Sequence, residues 1–397
     1  MLIYLSIFLI PLLYYIVGRS NPKAASSPKV CGVMFLILAL FVGLGDMQGG
    51  YDRYIYGQYF DGMADDIRHG WIWQTYGSEY GYTLFNWIIA HFTQNRYIYI
   101  LTATLTMYFL YFRAFKTYLD DYPLAMIVFM GLLYYFTMTY MRQTLAVGFA
   151  WQACRYAYER RPVPFFLWML VAFSFHNSAI IFAIMYFVPV KKFSNKTVLW
   201  LMFIMFLIGF TPIASWAMGT FGDVTETSYR TDIYAEDATG YNFGYLLVAV
   251  FFAWIMTKYS YLVKNTRKDV FFYNMGLMYC AVLLSLIRSG NTGRLGWYYM
   301  FGLIYTLSVI AGRSDVKNRM RTFVVALSFI MFFRITYQWD FNLSPYKTFL
   351  TDGYPCGIRE IYETYEYDDS YTFDKLYRPA FDFCPNLDFQ FDSRTDM

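Results

Sequence analysis

The chain has 397 residues, of which 58% are hydrophobic, 23% aromatic and only 15% charged; soluble domains carry roughly 25% charged residues. Its net charge of +4 comes from basic residues dispersed over many short segments, which excludes a basic patch for nucleic acid. A composition this apolar excludes a soluble enzyme and leaves an integral membrane protein.

Apolar runs of about sixteen to nineteen residues recur from end to end, as expected for helices that must cross roughly 30 Å of hydrocarbon. The predicted spans are 2–17, 30–45, 97–112, 124–141, 143–158, 163–176, 178–190, 197–213, 243–259, 270–287, 295–311 and 322–338, about 12 transmembrane helices in an all-α protein. The first run lacks a basic stretch ahead of it and a small-residue cleavage site, so it is expected to be retained. The apolar part of 82–94 is only about a dozen residues long, below the ~17 that a crossing requires, and predicts a short re-entrant or interfacial helix.

With that segment not crossing, the turns after spans 1, 3, 5, 7, 9 and 11 fall on one side and hold 19 of the 32 basic residues but 5 of the 28 acidic ones. The positive-inside rule makes this the cytoplasm and places both termini outside. Residues 1–340 then form the membrane domain, with external loops 46–81 and 215–242, and 341–397 form an acidic, aromatic extracytoplasmic tail. Aromatic faces with interspersed carboxylates suit sugars, whose C–H faces stack on rings, although interfacial Trp and Tyr belts share this composition. In the tail, Cys356 and Cys384 could pair in an oxidising compartment.

Arg142, in "TYMRQTLAVGF", falls at the outward turn between spans 4 and 5, and Arg288, Arg294 and Arg334 fall at comparable depth. A charge at this depth is costly unless paired or wetted. External arginines beside a bilayer are unusual under the positive-inside rule, and a lipid-linked diphosphate is an anion that guanidinium groups grip bidentately at that level. Ser289 to Gly293 lets backbone N–H groups turn toward the same anion. The alternative for each arginine is snorkelling to headgroups or pairing with an outer carboxylate.

His176, in "FSFHNSAI", lies at the outward end of span 6 and is one of 3 histidines. It can act as acid or base, or simply cap a helix. Asp52 and Glu79 are the other outer groups suited to taking a proton, and sugar contacts are expected from Tyr51, Arg53, Trp73, Gln143, Asn177 and Asn291. No CxxC, HxxxH, P-loop, GxGxxG or GxSxG occurs, so no metal, nucleotide or other cofactor is expected.

The order "YDRYIY", "SEYGYTLFN", "MRQTLAVGFAWQACRYAYERR", "FSFHNSAIIF" and "RSGNTGR" resembles the EpsG family of exopolysaccharide polymerases, relatives of the Wzy-type O-antigen and capsule polymerases, from about residue 2 to 337. The tail is longer than that family leads one to expect. The resemblance implies a GT-C-like glycosyltransferase of the bacterial cytoplasmic membrane that joins undecaprenyl-diphosphate-linked oligosaccharide repeat units at the outer face. It also implies a chain-length regulator and a flippase as partners. Two rival readings are a flippase for the same lipid and a membrane acyltransferase acting on surface glycans. A flippase calls for cations deep within the spans and two related halves, neither of which is visible.

Overall fold

The computed structural model describes residues 2–45, 52–70, 79–211, 241–288, 292–313 and 317–339, with positions 213, 343, 346 and 348. The external loop 215–242 and the tail 341–397 lie almost entirely outside the described residues, as do Cys356 and Cys384.

The described residues form helices, with a single isolated β-bridge between Gly45 and Thr348. In chain order the longer helices are α1 (Leu2–Ser20), α2 (Pro28–Gly43), α3 (Arg53–Arg68), α4 (Tyr80–Phe92), α5 (Arg96–Tyr118), α6 (Tyr122–Leu132), α7 (Met141–Tyr158) and α8 (Pro162–Phe175). They continue as α9 (Asn195–Gly209), α10 (Phe243–Lys258), α11 (Arg267–Ser285), α12 (Met300–Arg313) and α13 (Lys317–Gln338). Four stretches, Leu2–Ser20, Arg96–Tyr118, Gly293–Arg313 and Asn318–Gln338, are long and apolar enough to cross a membrane, and several shorter apolar helices accompany them. This is a multi-pass membrane protein.

Side-chain contacts sort the two ends of the bundle. Arg19 donates to Asn318, Arg321 pairs with Asp121 at 2.5 Å, Arg313 with Asp269 at 2.8 Å, and Lys268 donates to the Tyr118 carbonyl. Lys192 donates to the carbonyls of Ser260 and Val263. The turns predicted to share one side therefore meet at one end. α5, about 34 Å long at 1.5 Å per residue, runs from the opposite end down to Tyr118, whose hydroxyl accepts from the Arg155 amide at the basic end.

That geometry settles where α4 goes. Its first residues follow Glu79, which meets the start of α7, and its last residues lead within three positions into the start of α5. Both ends of α4 thus lie at the end remote from the basic turns. Its 13 residues rise about 20 Å, too little for a crossing.

Three predicted spans are broken rather than continuous. Span 124–141 ends its first helix at Leu132 and resumes as a single turn, Phe136–Thr139; 178–190 opens as a 3₁₀ stretch, Asn177–Ala183; and 295–311 is entered through another, Thr292–Tyr299. Irregular backbone at membrane depth persists only where it is buried in protein or lines a cavity; Tyr134 and Tyr135 are buried against Phe332, and the two 3₁₀ stretches meet through Ser178 and Tyr298.

The region 46–81, expected to be external, contributes α3, packed onto α4 and α5. Tyr56, Phe60, Met63 and Ala64 form a buried helical stripe, and the Phe60 ring stacks on Tyr99 at 4.4 Å. Arg53 donates to the carbonyls of Val42, Gly43 and Gly45, satisfying the open carbonyls at the end of α2. Tyr346, just past the predicted domain boundary, stacks on Phe41 at 4.3 Å and donates to its carbonyl.

Helix pairs close through small residues, as is common where lipid gives no hydrophobic drive to association. A Cβ on Gly131 of α6 would come within 2.6 Å of the Ser328 carbonyl oxygen of α13, a backbone atom that cannot turn aside. Gly131→Ala is expected to cost about 1–3 kcal/mol, as overpacking of a tight interface does, read as a lower melting temperature in detergent with unchanged helix content by circular dichroism.

Candidate functional site

α7 begins at the end remote from the basic turns, and its second residue is Arg142. Its guanidinium donates to Glu79 Oε2 at 2.6 Å and lies over the rings of Tyr56 (5.3 Å) and Tyr82 (5.8 Å). Both partners are largely withdrawn from solvent, with 16% and 7% of their side chains exposed. Taking two charges out of water costs several kcal/mol per ion, so such a pair persists only with close geometry and further hydrogen bonds. The second Glu79 oxygen supplies one, accepting from the Asn177 amide at 3.3 Å. Among the described residues the Arg142 Nε has no hydrogen-bond acceptor, although it is buried.

Glu79 immediately precedes α4, and α4 reaches α8 through Gly81, where a Cβ would meet Ser174 Cβ at 2.8 Å. That close approach sets Glu79 beside the end of α8, where His176 stands with Nδ1 3.9 Å from Glu79 Oε1. His176 both terminates α8 and caps the 3₁₀ stretch that follows. Its Nδ1 accepts from the Ser178 amide at 3.2 Å and lies 2.7 Å from the Ser178 hydroxyl, which is 2.9 Å from the hydroxyl of Tyr298.

Tyr298 belongs to the turn Thr292–Tyr299, which also carries Arg294. Gln143 Nε2 donates to the Arg294 carbonyl at 3.1 Å, and the Arg294 guanidinium lies 4.4 Å from the centre of the Tyr140 ring. The same turn packs Gly293 on Tyr245 and Gly296 on Tyr279. Arg334, exposed on α13, is within Coulombic reach of Tyr279. Arg288, exposed after α11, lies over Tyr241 at 6.0 Å. Asp52 immediately precedes α3 and is within Coulombic reach of Tyr56, one of the two rings beneath Arg142.

The residues predicted from sequence divide accordingly. Arg142, His176 and Asn177 meet at Glu79, and Gln143 and Arg294, in contact with each other, are linked to them through the chain at Arg142 and through Tyr298 and Ser178, in a centre built from α4, α7, the turn after α8 and the turn before α12. Asp52 reaches it through Tyr56 and Arg334 through Tyr279, while Arg288 contacts Tyr241, which is not a member of the centre. Arg53 lies apart, 2% exposed and bonded to the end of α2. Tyr51, Trp73 and Asn291 fall outside the described residues, as do Ser289 and Gly290 of the expected anion nest.

Sequence reasoning missed Tyr56, Tyr82, Tyr140, Ser178 and Tyr298. In a chain with 41 tyrosines no single one carries a signal, but Ser178 was legible as the donor two residues beyond a capping His176. The other two histidines are spent locally, His69 Nδ1 against the Asp65 carbonyl and His91 Nδ1 against that of Trp87.

These features define a class: an all-helical, multi-pass membrane protein whose polar centre lies at the end of the bundle remote from its basic turns. The chain belongs to the EpsG family, whose model matches residues 29–348 and so spans every member of that centre. Membership points to a glycosyltransferase-like function of the exopolysaccharide-polymerase type. No curated protein and no solved structure matches the chain.

Proposed function

We propose that the chain is a polysaccharide polymerase that joins oligosaccharide repeat units carried on undecaprenyl diphosphate at the outer face of the bacterial cytoplasmic membrane. The observation that carries this reading is the buried Arg142–Glu79 pair beside His176, at the end remote from the basic turns. By the positive-inside rule that end is extracytoplasmic, as are both termini, and about 12 crossings follow in a GT-C-like arrangement.

In the reaction, the acceptor hydroxyl oxygen attacks the anomeric carbon of the donor sugar. The carbon–oxygen bond to the lipid diphosphate breaks, and its electron pair leaves with the diphosphate. Arg142, whose Nε–H has no acceptor among the described residues, together with Arg294, Arg288 and Arg334, would meet the charge that develops there, the kind of stabilisation that usually dominates such catalysis. Asp52, Glu79 and His176 are the groups available at the acceptor side to take the hydroxyl proton. Asn177, Gln143 and the rings of Tyr56, Tyr82 and Tyr140 border the space the sugars would occupy. A lipid diphosphate is already an activated leaving group, so no nucleotide need enter. A chain-length regulator and a flippase are the expected partners.

Cells test the direction of the chemistry. Arg288→Ala should remove most long polymer while single repeat units still reach the cell surface and protein level is unchanged, measured by surface labelling and a polymer blot. Loss of the single units as well would favour a flippase and contradict this reading.

A further inference from the structure

We infer that His176 is held as a neutral hydrogen-bond donor through Nε2–H, and that it does not accept the acceptor's proton. The inference rests on the polymerase reading and narrows it.

The direction of each hydrogen bond can be read without placing a hydrogen on the ring. A backbone amide can only donate, and the Ser178 amide points at His176 Nδ1 from 3.2 Å. Nδ1 must therefore present its lone pair, and a neutral imidazole with a bare Nδ1 carries its proton on Nε2. The hydroxyls agree with that direction. Tyr298, fully buried, can donate to Ser178 at 2.9 Å, and Ser178 can donate to Nδ1 at 2.7 Å. The opposite tautomer, or the doubly protonated ring, would set an Nδ1–H against the Ser178 N–H. The facing Glu79 Oε1, at 3.9 Å, is beyond hydrogen-bond distance of Nδ1 and accepts from the Asn177 amide.

An Nε2 that bears a proton cannot remove one. What it offers is a fixed N–H, the role a neutral histidine takes when it polarises an oxygen instead of deprotonating it. The ring is 26% exposed and stands beside the carboxylate that holds Arg142, so Nε2–H serves the oxygens of the sugar diphosphate alongside the guanidinium. The hydroxyl proton then passes to a carboxylate, Asp52 or Glu79. The relay also ties the ring to the turn bearing Arg294, because Tyr298 lies in that turn and its carbonyl accepts from Trp151 Nε1 at 3.0 Å.

The test uses the full-length protein with His69→Gln and His91→Gln, which leaves one imidazole, labelled with ¹⁵N in reconstituted membranes. The expected spectrum at neutral pH has a pyridine-type Nδ1 and a pyrrole-type Nε2. A pyrrole-type Nδ1, or two protonated nitrogens, overturns the inference. In the same protein, His176→Gln keeps an amide N–H near the place of Nε2–H but offers no base. Its polymerisation rate is expected to stay within about tenfold of the parent, while His176→Ala falls by about a hundredfold or more, as loss of a donor to developing charge does. Equal loss in both variants overturns the donor role. Because the spectrum needs no turnover, a parent that makes no polymer refutes the proposed function while the ring's proton is still decided.

Discussion

Replacing Arg142 by alanine is expected to abolish polymer formation, with a fall in kcat of about 10²–10³, the loss seen when one donor to developing charge is deleted. The size follows from position. Arg142 is largely enclosed, held by Glu79 at 2.6 Å and by two tyrosine rings. Its removal also leaves the Glu79 carboxylate buried without its ion partner, which costs about 3–5 kcal/mol when a buried pair is broken. Stability and chemistry are separated by the pair Arg142→Gln and Glu79→Gln together. The double variant removes both charges, is expected to regain most of the melting temperature lost in Arg142→Ala, and should remain without polymer activity. Arg142→Lys is expected to fold and yet work poorly, because an ammonium cannot reproduce the planar fork that meets Glu79 on one edge and an incoming phosphate on another. A melting temperature restored together with activity would show that the arginine matters only for the fold.

The second large effect belongs to a pair that lies away from the chemistry. Arg96, 2% exposed at the start of α5, is paired with Asp61 of α3. Arg96→Ala is expected to destabilise the protein by about 3–5 kcal/mol, since it strands a buried carboxylate. The melting temperature in detergent should fall by several degrees. Arg96→Met with Asp61→Leu, which replaces the pair by apolar groups, should recover most of that loss, as buried pairs exchanged for well-packed hydrophobic residues often do. The consequence for function runs through Tyr56. Asp61 and Arg53 pin α3 at two points, to α5 and to the end of α2, and Tyr56 sits between them on the same helix beneath Arg142. Polymer yield should therefore drop in Arg96→Ala and return in the double variant. If Arg96→Ala melts like the parent, the anchoring role of this pair is wrong.

Much of the architecture was legible because hydrophobic runs bounded by charges translate directly into helices of membrane length, and because arginines and lysines are sorted by side. The start of α7 at Arg142 and the end of α8 at His176 were readable for the same reason: polar residues interrupt apolar runs there. What the runs could not show is where a helix breaks inside apolar sequence. Leu133 to Tyr135, Asn177 to Ala183 and Thr292 to Tyr299 carry no proline; the two 3₁₀ stretches meet through Ser178 and Tyr298 beside the polar centre, whereas Tyr134 and Tyr135 pack on Phe332. Helix α3 was hidden for a different cause. Asp61, Asp65, Asp66 and Arg53 lower the hydropathy of 53–68 below that of any span, while its buried stripe of Tyr56, Phe60, Met63 and Ala64 is visible only when the sequence is wrapped at helical period.

The candidate centre was half legible. Arginines at an outer rim and a histidine beside Asn-Ser are scarce enough to be singled out, but which carboxylate meets Arg142 depends on α4 returning to the end it started from, a three-dimensional fact. Arg53, from which sequence alone expects a sugar contact, likewise has neighbours that only the fold reveals, the three backbone carbonyls at the end of α2.

The most direct measurement reconstitutes the purified protein in lipid nanodiscs with undecaprenyl-diphosphate-linked repeat units alone, with chelator present, and counts bonds formed against lipid diphosphate released. A ladder of products with one undecaprenyl diphosphate freed per new glycosidic bond, absent in Arg142→Ala, is the expected result. Single units that stay intact in the parent protein would contradict the account at its base.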